Sequence, residues 1–146
     1  PAADYVAAID LIRQTGRQVA AFFARYDILL TATTARPPVR IGELGPSRVE
    51  RLLLGVLRAV PARRLLLQAV DDMARGPLAA TPNTQLFNMT GQPAVSLPLW
   101  RNAAGLPIGT QWAAPFGRED LLLRLASQLE AARPWASHRP DFSAKL

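Results

Sequence analysis

The stretch Asn83–Trp100, NTQLFNMTGQPAVSLPLW, decides how the rest of the chain is read. Its first half is crowded with amides and hydroxyls, its second half is apolar, and Gly91-Gln92-Pro93 joins them. Gly91 permits a backbone angle that a β-carbon opposes, and Pro93 fixes its own. Asn88 and Thr90 carry side chains that hydrogen-bond nearby backbone, so they are expected to hold a turn. AVSLPLW then has the composition of a strand. NAAG (102–105) is a turn and LPIGTQWAA (106–114) a second strand, which makes a hairpin the simplest link. Pro98 and Pro107 cannot donate to a ladder, so neither strand is expected to pair fully through them.

Working outward, REDLLLRLASQLEAA (118–132) has the clearest helical period, with Leu122, Leu125, Ala126 and Leu129 on one face. Glu119 and Asp120 sit where the positive end of the helix dipole favours them, and Pro134 stops the run. Upstream, residues 4–26 read as a helix through Val6, Ile9, Ile12, Val19, Phe22 and Tyr26. Asp4 is a candidate N-cap, and Gly16 a candidate interruption. Ile28–Leu30 is a short apolar run followed by Thr, as in a buried strand. Residues 35–47 form a Pro- and Gly-punctuated loop. Ser47 and Glu50 have capping-box spacing and open a second helical block carrying Leu52, Leu53, Val56 and Leu57. Pro61 resets the chain, Leu65, Leu66, Ala69, Val70 and Met73 continue the spacing, and Gly76-Pro77 ends it. Three strands alone make a poor sheet. The expected class is therefore α/β, with these strands the end of a larger mixed sheet covered by helices on both faces.

Composition narrows the function. Of 146 residues, 49% are hydrophobic and 19% charged, against an average of about 25% charged, which suits a folded domain. No apolar run approaches a membrane span, no leader opens the chain and there is no cysteine, so the expected address is the cytoplasm. The formal charge is +6, and Lys145 is the only lysine among 17 basic residues. The arginines are dispersed and lack interleaved aromatics, which argues against a nucleic-acid surface. His138 is the only histidine, leaving no Ser-His-Asp set outside the Pro-bounded tail and no metal constellation; Asp71 and Asp72 are helix neighbours that do not converge. Phosphate-loop motifs and a nucleophile elbow are missing too.

Three segments in order resemble the C-terminal region of the amidase signature family. Phe87, Asn88, Thr90, Gly91, Pro93, Ser96 and Pro98 occupy the first motif. Gly105, Pro107, Ile108, Gly109 and Gln111 occupy the second, and Leu122 to Glu130 the third. YDILLTATTARPP (26–38) is similar to the family's upstream strand and Thr/Pro-rich loop. The chain departs from the pattern at Ala32 and Ala35, where proline is frequent, and at Trp100, where glycine is common.

The resemblance implies that residues 1–146 are the C-terminal portion of an amide hydrolase. Its Ser–cis-Ser–Lys machinery and oxyanion loop would lie N-terminal to this region, so no catalytic residue is assigned here. Thr81, Asn83, Thr84, Gln85 and Phe87, which approach the first motif, are implied as substrate-pocket residues. The tRNA amidotransferase branch tends to carry an acidic residue near Thr81, which favours a small or apolar amide here. No cofactor and no metal are implied. The implied partners are a small amide and the N-terminal part of the enzyme, with a homodimer left open and neither nucleic acid nor membrane expected. The alternatives are a non-catalytic interaction module and an Arg-rich nucleic-acid binder.

Overall fold

A computed structural model describes residues 1–43, 45–59, 65, 67, 68, 71, 75 and 78–138, with backbone alone at 53, 54 and 56–59. Helix α1 (Ala2–Phe23) leads to strand β1 (Leu29–Ala32) and helix α2 (Arg48–Ala59). Helix α3 (Pro82–Thr90), strands β2 (Ala94–Arg101) and β3 (Pro107–Ala113), and helix α4 (Glu119–Ala132) follow. Residues 65, 67, 68, 71, 75 and 78–80 are also helical. Pro61, Leu66, Ala69, Val70, Met73 and Gly76-Pro77, named in the sequence reading, lie outside the described residues.

The strands form a sheet of order β1-β3-β2, antiparallel throughout. The β2–β3 hairpin closes on a turn in which the Asn102 N–H donates to the Leu106 carbonyl at 2.9 Å, while Asn102 Oδ1 accepts the Leu106 N–H at 2.9 Å. The proline argument holds. Register shifts between Leu97 and Trp100, so Pro98 and Leu99 bulge opposite the single residue Gly109. Pro107 begins β3, where a missing donor matters least.

One sheet face carries Leu29 and Thr31 of β1, Gln111 and Ala113 of β3, and Ala94 and Ser96 of β2. Helix α3 covers it. Gln111, only 3% exposed, donates through Nε2 to the Asn83 carbonyl at 3.2 Å and to Thr31 Oγ1 at 3.3 Å. Asn83 Nδ2 returns a bond to the Ala32 carbonyl at 2.8 Å. On the opposite face Leu97 is buried, and α4 packs along β2 with Leu122 buried as expected. Helices therefore flank the sheet on both faces. The fold is mixed α/β, the expected class.

Four readings change. The polar half of the opening stretch is not a turn but helix α3, begun by Pro82 at its first position and ended by Gly91 in the left-handed region (φ 85°). Asp4 does not cap α1; Pro1 takes that position and Asp4 falls within the first turn. Gly16 does not interrupt α1. It lies against the end of α3, where a Cβ would make an ordinary contact with Thr90 Cβ at 3.8 Å, and its carbonyl accepts from Gln92 Nε2 at 3.5 Å. Strand β1 pairs only with β3 among the described residues, and Leu30 is 52% exposed, so β1 is a border strand rather than a buried one. The capping box is present as read: the Ser47 N–H donates to Glu50 Oε2 at 2.6 Å, and Ser47 Oγ accepts the Glu50 N–H at 3.2 Å.

Candidate functional site

Two hollows border α3, one at its N-terminal end and one along its middle and C-terminal part. The larger, about 380 Å³, is lined by Thr33, Thr34, Pro37, Pro38, Ala80 and Thr81 among others. The smaller, about 240 Å³, is lined by Thr84, Phe87, Asn88, Gln92, Ser96 and Gln111 with parts of β2. Between them the Thr33 and Ser96 hydroxyls share a hydrogen bond of 2.6 Å. This bridge passes directly over Gly109. A Cβ at Gly109 would lie 2.6 Å from Thr33 Oγ1 and 2.8 Å from Ser96 Oγ, closer than side-chain atoms tolerate. The Thr33 N–H donates to the Gly109 carbonyl at 3.0 Å, so Thr33 is pinned where it stands.

The five residues taken from the sequence divide between these hollows and the frame that holds them. Thr81 borders the larger hollow, and Thr84 and Phe87 line the smaller. Phe87 is 5% exposed, an apolar floor. Asn83 and Gln85 are spent on backbone. Asn83 ties α3 to the end of β1, and Gln85 Nε2 reaches back to the Leu78 carbonyl at 2.7 Å and to Thr81 Oγ1 at 3.2 Å. The Thr84 hydroxyl donates to the Thr81 carbonyl at 3.0 Å.

Gln92 and Gln111 were missed as positioning groups. Both are buried amides with satisfied hydrogen bonds. The Thr90 hydroxyl lies between the Leu86 carbonyl and Gln92 Oε1, locking the end of α3 to the segment that enters β2. A polar residue amid an apolar strand pattern, as in GTQWAA, is the sequence signal that could have found Gln111.

Resolved pKa shifts lie away from the hollows. The two Ser47 bonds hold the Glu50 carboxyl below its ordinary value. The Arg118 side chain does the same for Asp120. No group of three or more His, Cys, Asp or Glu converges as a metal site among the described residues. No helix among them is long and apolar enough to cross a membrane. The two hollows offer hydroxyls and apolar walls, and Arg36 at the larger one is paired with Glu43 at 3.2 Å. Bond breaking needs a nucleophile and a base in register with those hollows.

Known proteins match this geometry and sequence together. The family model described as Amidase matches residues 2–123. The chain is 42% identical over 129 residues to the protein named "Putative amidase AmiC" of Mycobacterium leprae, covering 88% of this chain and 23% of that one. It is 36% identical over 138 residues to the 6-aminohexanoate-cyclic-dimer hydrolase of Pseudomonas sp., covering 94% and 25%. A solved structure of 6-aminohexanoate cyclic dimer hydrolase is similar with a TM-score of 0.67 at 32% identity, covering 94% of this chain and 26% of that chain. The chain thus spans about a quarter of the length of the curated relatives it matches. With the family model covering most of its residues, the chain belongs to the amidase family.

Proposed function

We propose that this chain is the C-terminal portion of an amidase and supplies the scaffold and one wall of its substrate cleft. The reaction is hydrolysis of an amide to a carboxylate and ammonia or an amine. The observation that carries the reading is the match over 94% of this chain to about a quarter of a solved amide hydrolase. A serine nucleophile activated by a base, with N–H donors on the developing oxyanion, would come from the N-terminal part. That division suits a chain whose only lysine is Lys145.

Thr81, Thr84 and Phe87 face the substrate, and Asn83 and Gln85 hold those three in place. The larger hollow, with Pro37, Pro38, Val39 and Ala80 beside three threonines and with Arg36 already paired to Glu43, suits a small, largely apolar amide. Linear carboxamides head the substrates to test. A cyclic dimer of 6-aminohexanoate belongs with them because two matched proteins carry that substrate in their names. A cytoplasmic address goes with this reading and is checked by fractionating cells that make the tagged protein.

The deciding experiment co-expresses residues 1–146 with the N-terminal part of a related amidase and measures ammonia or amine release. The pair should hydrolyse at least one of these amides while the 146-residue chain alone does not. A well-folded pair that leaves them all intact sinks the proposal.

A further inference from the structure

A third hollow lies away from α3, where the turn end of the β2–β3 hairpin meets the end of α4. It measures about 190 Å³ and is lined by Pro98, Trp100, Arg101, Arg133, Trp135 and His138, with Leu99 and Pro134. Pockets for drug-sized ligands run roughly 300–1,000 Å³, so this one suits something smaller. Its chemistry is unlike the other two, because two guanidinium groups line it.

Both cations are held in place. The Arg133 guanidinium carbon lies 3.8 Å from the centre of the Trp100 ring. Stacking uses the face of the guanidinium and leaves its edge N–H donors available. Arg101 donates to the Gly105 carbonyl at 2.7 Å and to the His138 carbonyl at 3.1 Å. Those acceptors are neutral, so the charge remains. The ion pairs among the described residues engage Arg13, Arg36, Arg75, Arg118 and Arg124, and neither Arg101 nor Arg133 is in one. The C-terminal end of α4 contributes about half a negative charge, less than the two positive charges it faces. A pair of fixed forks beside tryptophan matches the flat or tetrahedral array of acceptors on an oxyanion.

We infer that the hollow between Arg101 and Arg133 binds a small oxyanion, a carboxylate or a phosphate. The test uses the full chain of residues 1–146, titrated with inorganic phosphate and separately with benzoate against chloride at matched ionic strength. Trp100 and Trp135 line the hollow, so tryptophan fluorescence reports occupancy and calorimetry confirms it. Saturable binding is expected with at least one probe, and whichever binds tighter identifies the source of the anion. Arg133→Gln should weaken it by about tenfold or more, the scale of one charged hydrogen bond. Arg133→Lys should keep the charge, lose the fork and recover part of the affinity. Arg124→Gln, which sits in an exposed pair with Asp120, should bind like the parent. Arg101 also ties down the hairpin, so Arg101→Gln is read only alongside its melting curve, and Arg133→Gln decides. Undiminished binding by a folded Arg133→Gln chain, or an identical response to chloride, overturns the inference.

Discussion

At the scale of single residues, glycines with the same lack of a side chain predict opposite outcomes. Gly109 lies beneath the Thr33–Ser96 bridge, with no room for a methyl group. Gly109→Ala should break that bridge and lower stability by about 1–3 kcal/mol, as overpacking does. At Gly16 a methyl group would meet Thr90 at 3.8 Å, an ordinary contact. Gly16→Ala should therefore raise stability by about 0.5–1 kcal/mol through helix propensity. Thermal melting of the two variants checks both signs. Gly91 combines a φ of 85° with Phe116 Cε1 3.3 Å from where a Cβ would stand. Gly91→Val should cost about 1–3 kcal/mol in backbone strain. Gln111→Leu leaves the Asn83 carbonyl without its donor. That should cost about 1–3 kcal/mol and loosen α3, seen as faster amide exchange across Pro82–Thr90. Exchange unchanged there would show that Gln111 does not hold the helix.

At the scale of elements, the capping box at Ser47 makes a signed pH prediction. Glu50 has its folded pKa depressed, first by the Ser47 N–H and then by the Ser47 hydroxyl. Its contribution to α2 is therefore present above the ordinary carboxylate pKa and lost as pH falls through the lowered folded value. The Ser47 amide resonance should titrate with a midpoint below 4.5, the ordinary value. Ser47→Ala should cost about 0.5–2 kcal/mol of helix stability. An amide signal that ignores acidification would mean that the carboxylate and Ser47 do not meet.

The sequence was most informative where one residue type has one physical use. Ser47 with Glu50, Pro98 at the bulge and the leucine stripe of α4 were all legible for that reason. Helix α3 was not, because Asn83, Thr84, Asn88 and Thr90 are weak helix formers whose side chains also suit turns. Only Pro82 and Gly91 mark its ends. The roles of Asn83 and Gln111 depend on contacts between residues 28 and 51 positions apart, which no local pattern displays.

At the scale of the whole molecule, exposed apolar side chains give the proposed assembly a second test. Tyr5, Val6 and Leu11 on α1, Leu30 on β1, and Val49 and Leu52 on α2 are among the exposed apolar side chains. Joining the chain to an N-terminal amidase portion should therefore raise its melting temperature as well as restore hydrolysis. Complementation without any gain in melting would show that this surface is not what the partner covers.

Strand order also sets a timetable. Among the described strands, β3 is made after the two that need it, because β1 and β2 do not pair with each other. A nascent chain halted before Pro107 would hold β1 and β2 without the strand that joins them. These three strands thus commit together, within the time taken to translate a single hairpin.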